Sequence, residues 1–378
     1  MGGNANIIMN RDGTPKNNEV TDAFTQQLLR WLESRMPGAH DLHLTNLRKP
    51  SGGMSSDTHL FTVHWRQDPS DSRAASEEQS LDAALRCAPR ADGPFPEYDL
   101  AMQFGIMRQL AAHTNVPVPE VLWQEDDSTW LGVPFLSMKA VIGEPPLDWP
   151  SYHASGFYSD LSESKRRKLW TRTIESLAEI HRADWKGINL DFVPGGRPED
   201  DPASHLLTYW RRYLDEWTKD DPTEIIPVYD EVLDWLERNR PDCPRTSLVW
   251  GDAKLGNVMY KARECEVAAV IDWELAMIGD PRSDLASLRI SDLRAQEAAG
   301  RSLPGTPSES ELIELYESAS GETVGDFRYF LLYSAFWRGA VTLKVMRRMK
   351  AQGQDISNAM MKNHFPVPYM RDLLASLN

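Results

Sequence analysis

Two neighbouring stretches, LVWGDAKLGNVMY (248–260) and AAVIDWELAMIGDPRSDLA (268–286), decide how this chain is read. Each carries a short apolar run of strand character, SLVW at 247–250 and EVAAVID at 266–272. Such runs bring polar residues at their ends to the margin of a core. Asp252, Lys254, Asn257 and Asp272 occupy those ends. A carboxylate, an amide oxygen five residues on and a second carboxylate fifteen further are hard oxygen donors. They suit Mg2+, which keeps water and phosphate oxygens as its other ligands. A lone aspartate there would be a strand-end cap or a surface carboxylate. Four polar residues at one recurrent spacing beside apolar strands outline a metal-nucleotide site.

Upstream, the pattern has period two: Phe61, Val63 and Trp65 alternate with Thr62, His64 and Arg66, as a half-buried strand requires. Leu42 to Leu47 forms a strand before it, and SGGMSSDT (51–58) joins the two as a hairpin. A polar connection over 67–80 leads to a strand at Leu81 to Cys87. Leu100, Phe104, Met107 and Ala111 then recur at helical spacing over about 97–114. VPVPEVLW stops that helix, because proline lacks a donor and restricts its predecessor. The strand-like VPFLSMKAVI follows, while residues 1–40 give a polar leader and one short helix through Phe24, Leu28 and Leu32. Beyond VPFLSMKAVI helices dominate, at about 162–183, 203–219, 224–239 and 326–350, with a capping-box spacing at Ser308 and Glu311. The class is α+β.

The paired aspartate segments resemble the HGDxxxxN and hxDWExxxxGDPxxDLA motifs of the aminoglycoside phosphotransferase and choline kinase-like small-molecule kinases. GGMSSDT resembles that family's phosphate loop and PFLSMKAVIGEPP its hinge. The resemblance implies a two-lobed protein-kinase-like fold, with a small antiparallel β-rich lobe at 1–138, including the leader, and a hinge and mainly helical lobe at 139–378. It also implies ATP or GTP as phosphoryl donor, held between the lobes with Mg2+, and a small-molecule hydroxyl as acceptor. Carried over by position, Asp252 is the catalytic base and Lys254 meets the γ-phosphate. Asn257 and Asp272 hold the metal; read from the sequence itself, Asp280 and Asp284 brace the catalytic loop by hydrogen bonds to backbone. Gly52, Gly53, Ser55 and Ser56 approach the phosphates through backbone N–H groups, and Arg86 contacts the α and β phosphates. Gln103 stands where the helix usually supplies glutamate, with Glu97 or Asp99 as the alternative counter-charge, and Met138 lies in the segment facing adenine. Trp250 replaces the motif histidine, offering a donor where imidazole both donates and accepts. The acceptor is left open among aminoglycoside-like, hydroxyacyl and aromatic alcohols. A nucleotide-binding pseudokinase and a metal-dependent phosphohydrolase built on the same aspartates also fit.

Composition bounds these readings. The 378 residues, 41% hydrophobic and 26% charged, describe a globular chain with room for two or more domains. Its 41 basic against 56 acidic residues give a net charge of −15, which argues against nucleic acid and anionic membrane surfaces as partners. Cys87, Cys243 and Cys265 lack metal or redox spacing and read as free thiols. No apolar run reaches membrane-span length and no secretory leader is evident, so the expectation is a soluble, cytoplasmic protein. His181 falls on an apolar helix face and reads as a satisfied core histidine.

Overall fold

The alternation at Phe61 marks a strand that is paired on both sides in a sheet. In the computed structural model the residues described are 22–50, 57–67, 77–89, 93–95, 98–197, 202–218, 227–243 and 245–377. The chain divides into two units, Met1–Gly93 with Val121–Ala140, and Pro94–Glu120 with Val141–Asn378.

The first unit holds α1 (Asp22–Arg35), β1 (Ala39–Arg48), β2 (Asp57–Gln67), β3 (Glu78–Cys87), β4 (Val121–Glu125) and β5 (Phe135–Lys139). The strands form an antiparallel sheet in the order β1-β2-β3-β5-β4. Phe61, Val63, Ala83, Leu85 and Phe135 bury one sheet face against Leu28, Trp31 and Leu32 of α1. On the other face Thr62 donates to Asp82 Oδ1 at 2.6 Å. Trp31 meets Phe135 edge-on at 4.8 Å, and its indole donates to Glu125 Oε2 at 3.0 Å. Arg35 pairs with the same carboxylate. β4 is absent from the sequence reading because its apolar residues follow two prolines, where a turn is the simpler expectation.

The second unit opens with α2 (Leu100–His113), capped by Asp99, which accepts from Met102 N at 2.7 Å. The sequence reading puts this helix in the first lobe. Here Val270 N donates to Pro117 O at 2.7 Å and Tyr213 OH to Pro94 O at 2.8 Å, so one backbone bond and one side-chain bond tie the two ends of the segment to the helical unit. Then come α3 (Phe157–Asp160), α4 (Glu163–Arg182), α5 (Pro202–Thr218) and α6 (Pro227–Arg238). Two antiparallel pairs follow: β6 (Ser247–Val249) with β9 (Met277–Gly279), and β7 (Val258–Lys261) with β8 (Glu266–Val270). The chain ends in α7 (Arg282–Ala299), α8 (Glu309–Ser320), α9 (Arg328–Ala351), α10 (Asn358–Lys362) and α11 (Val367–Leu377). α9 packs against α5, α6, α7 and α11, which bury its first part, Phe330 to Leu343, on most sides, while its basic last turns lie nearer solvent. The expected capping box at Ser308 and Glu311 is formed in both directions. None of the described helices is long and apolar enough to cross a membrane.

The tie through Glu125 gives the first unit an acid-sensitive element. Burial pushes its carboxyl up, but the Arg35 guanidinium, Asp127 N–H and Trp31 indole outweigh that and hold it below the ordinary value of 4.5. A depressed carboxylate stabilises the fold above its unfolded pKa, and that stability is lost as pH falls through the folded value. Glu125→Gln is therefore expected to destabilise the first unit by about 2 kcal/mol at pH 7. In urea unfolding at a series of pH values, the gap from wild type narrows as pH falls below the ordinary glutamate range and through the lowered folded value. A gap constant with pH would show that the charge contributes nothing.

Candidate functional site

The loop after β6 is built on Asp284, fully buried in the first turn of α7. Its Oδ2 accepts from Trp250 N at 2.6 Å and its Oδ1 from Gly251 N at 2.8 Å. His181 Nε2 lies 3.1 Å from the same Oδ2, and its Nδ1 lies 2.7 Å from Tyr316 OH, so it is the satisfied core histidine the sequence suggests. Gly251 turns through φ +92°, and a Cβ there would stand 2.1 Å from Leu275 O. Only glycine fits that approach. The Trp250 indole donates to Ile271 O at 2.9 Å and Asp272 O at 3.2 Å, and Ile271 N donates to Asn257 O at 3.0 Å. These bonds bind the 250–257 loop to the segment that carries Asp272. Asp272 has φ +67°, rare for a residue with a side chain and frequent at functional sites.

Asp252 lies at the centre of a charge cluster. Its Oδ2 accepts from Asn257 Nδ2 at 2.9 Å and stands 3.8 Å from Lys254 Nζ, while its Oδ1 stands 2.8 Å from Arg338 Nη2. Burial pushes the Asp252 carboxyl up, but Lys254, Arg338 and Asn257 together hold it below the usual aspartate value. Lys254 Nζ also donates to Asp148 Oδ2 at 2.8 Å. Burial opposes its charge, yet the Asp252 and Asp148 carboxylates prevail and keep its pKa above that of an ordinary lysine. Arg338, from the middle of α9, also donates to Ala253 O at 3.1 Å and Ser287 Oγ at 2.6 Å. Burial lowers its pKa. It remains a cation, because a guanidinium is not deprotonated in a protein.

The second unit thus brings Asp252, Lys254, Asn257 and the segment of Asp272 together. Gln103 lies buried on α2 of the same unit, and its Nε2 has no hydrogen-bond partner among the described residues. Asp99, the alternative counter-charge, caps α2 through its Oδ1. Arg86 and Met138 belong to the first unit, Arg86 buried on β3 and Met138 half-buried on β5 opposite Ala84. Gly52, Gly53, Ser55, Ser56 and Glu97 lie outside the described residues. Asp284 braces the loop through backbone N–H groups, as the sequence reading expects. Asp280 does not: its carboxylate pairs with Arg282 at 2.6 Å, because that guanidinium two residues on is the nearer partner. Sequence reasoning missed Arg338 and Asp148. A single arginine inside the apolar run FLLYSAFWRGAVTL (330–343) was the available signal for the first; Asp148 left none.

The sequence profile of the phosphotransferase enzyme family matches residues 83–302, which hold Asp252, Lys254, Asn257 and Asp272. The chain belongs to the phosphotransferase enzyme family. Its similarity to curated proteins includes mouse acyl-CoA dehydrogenase family member 10, 30% identical over 90% of this chain and 30% of the relative. Mouse acyl-CoA dehydrogenase family member 11 is 27% identical over 80% of this chain and 38% of the relative. The chain thus matches about a third of the length of these relatives. Among solved structures it is similar in fold to a candidate aminoglycoside phosphotransferase of Ralstonia eutropha, with a TM-score of 0.63 and 23% identity over 93% of this chain and 95% of the other. The macrolide 2'-phosphotransferase type I gives 0.53 and 16% over 95% and 98%. The aminoglycoside phosphotransferase APH(4)-Ia, in a ternary complex with ADP and hygromycin B, gives 0.53 and 16% over 93% and 97%. This phosphotransferase therefore has the α+β, kinase-like fold that its motifs suggest.

Two substitutions test the loop's construction. Trp250→Phe keeps the aromatic packing but leaves Ile271 O and Asp272 O without their donor, an expected loss of about 1–3 kcal/mol in urea unfolding. Gly251→Ala meets backbone rather than a movable side chain and is expected to lower the melting temperature further. A Gly251→Ala protein as stable as wild type would show that the loop takes another path.

Proposed function

We propose that this chain transfers the terminal phosphoryl group of ATP or GTP to a hydroxyl group of a small molecule. The observation that carries the proposal is the cluster of Asp252, Asn257 and the Asp272 segment, held together by side-chain and backbone bonds inside the family match. Nucleotide use is supported by the ADP held in the structurally similar APH(4)-Ia complex.

Asn257 Nδ2 donates to both Asp252 O and Asp252 Oδ2, at 3.1 and 2.9 Å. That fixes the amide and leaves its oxygen as the end for a cation. With the Asp272 carboxylate it makes a hard-oxygen pair that fits Mg2+. Bound there, Mg2+ would neutralise charge on the transferred phosphoryl group. Asp252 orients the acceptor hydroxyl and takes its proton as the oxygen bonds to phosphorus and the bond to the nucleoside diphosphate breaks. Lys254 places a compact cation beside that carboxylate for the phosphoryl oxygens. Arg86, the 51–58 segment and the backbone around Met138 are assigned to the nucleotide.

For the acceptor we favour a hydroxyacyl compound. The relatives named for acyl-CoA dehydrogenases join a segment like this chain to a longer polypeptide, and parts of one polypeptide commonly share a metabolite. Ile142, Leu147 and Trp149 are exposed on the stretch that carries Asp148 to Lys254. They give an acyl chain an apolar surface to lie on.

Three measurements decide between this reading and its rivals. ADP formation with Mg2+ and a panel of hydroxy acids and their thioesters is expected; nucleotide binding without turnover would indicate a pseudokinase, and phosphate release from phosphoesters without nucleotide a phosphohydrolase. Asp252→Asn is expected to lower kcat about 100- to 10,000-fold and leave the Mg-ATP melting shift intact. Wild-type turnover in that variant would remove Asp252 from the base role. Arg338→Met takes a cation from Asp252, so the acid limb of the kcat/KM profile is expected to move to higher pH. An unmoved limb would mean that another group titrates.

A further inference from the structure

The outer face of the first unit carries a cluster that phosphoryl transfer does not use. His43, His64 and Glu78 each present a ligand atom within 4.8 Å of the others. They come from three adjacent strands: His43 on β1 is opposite His64 on β2, and Glu78 on β3 lies two residues from Ser80, the partner of His64. The imidazole rings are nearly parallel, at 8°, with centroids 4.7 Å apart. We propose that His43, His64 and Glu78 form a binding site for a first-row divalent metal, with Zn2+ as its natural probe.

Three features beyond proximity support this. First, β1 departs from regular pairing on either side of His43. The register slips between His40 and His43 and again between Thr45 and Arg48, with Asp41 and Asn46 each at φ +56°. Bulges of this kind re-aim side chains, and here they flank the histidine that faces its partner. Second, each ring has one nitrogen engaged by the protein. His43 Nδ1 lies 3.3 Å from Asp41 O, an atom that only accepts, so the proton sits on Nδ1 and Nε2 keeps the lone pair. His64 Nε2 lies 2.9 Å from Thr45 Oγ1, leaving Nδ1. Metal-binding histidines are held in this way by a partner on the other nitrogen. Third, the donor set is specific. Two imidazoles and a carboxylate suit Zn2+, Ni2+ or Cu2+ better than Mg2+ or Ca2+, and they leave a fourth position for water. Binding would clamp β1, β2 and β3 together.

The test is a calorimetric titration of the full chain, stripped with EDTA, with Zn2+. Millimolar Mg2+ is kept present to compete at oxygen-only sites. The exposed thiol of Cys243 is the competing ligand, so Cys243→Ser serves as the reference protein. One Zn2+ per chain is expected. His43→Ala and His64→Ala should each weaken binding at least about 10-fold, and Glu78→Gln less. Zn2+ should raise the melting temperature of the reference protein but not of the His43→Ala/His64→Ala double variant. Cu2+ bound to the reference protein should show electron-resonance splitting from two imidazole nitrogens, a readout that needs no histidine variant. Unchanged stoichiometry and affinity in the double variant, or Cu2+ with no nitrogen splitting, would overturn the proposal.

Discussion

The carboxylate of Asp284 accepts two consecutive backbone N–H groups, from Trp250 and Gly251, at 2.6 and 2.8 Å, with no solvent exposure. Both donors leave β6 just as the chain must turn, and without this acceptor the buried Trp250 N–H would be unpaired, a cost of about 1–3 kcal/mol, with the part-buried Gly251 N–H adding less. His181 and Tyr316 extend the same chain of bonds into α4 and α8. The position of Asp252 is therefore a consequence of helix packing. α7 is fixed against α8 and α9, it fixes Asp284, and Asp284 fixes the turn that places Asp252 next to Asn257 and Arg338.

Trp250 shows how a departure from a motif can be absorbed. The motif histidine would offer a donor and an acceptor, but here both contacts of the indole are to carbonyl oxygens, of Ile271 and Asp272. A donor is all this position uses, and indole supplies one with a larger apolar surface, which Trp273 covers from 6.3 Å. The same bonds hold Asp272 in its left-handed conformation. Backbone strain there is sustained by the neighbouring strand pair and the indole acting together.

What the sequence revealed depended on how local the responsible interaction is. The β2 alternation, the Ser308 capping box and the helix face of His181 are set by residues within a turn or a strand of one another, and each is legible. The Asp252, Asn257 and Asp272 cluster was legible because its members cluster along the chain. Arg338 was not, since its link to Asp252 exists only through the packing of α9 on α7. Asp280 was misassigned because the spacing shows a carboxylate near the loop but cannot show that Arg282 claims it first. The compact units divide the chain differently from the sequence reading at residues 94–120 for a similar reason: the bonds at Pro94 and Pro117 come from partners more than a hundred residues away.

The charge cluster also constrains how Asp252 can act in the proposed reaction. A carboxylate held below its usual pKa by two cations is a weak proton acceptor, and strong general-base catalysis favours a pKa near the working pH. Phosphoryl transfer relaxes that demand. Its transition state is loose, with little bonding to the incoming oxygen, so the hydroxyl need not lose its proton early and catalysis rests on placement and charge. Under those conditions a permanently ionised Asp252 serves better than a basic one. It always presents an acceptor to the hydroxyl, and Arg338 and Asn257 hold that acceptor in one orientation. Lys254, kept protonated by Asp148 on one side and Asp252 on the other, then supplies positive charge without competing for the proton.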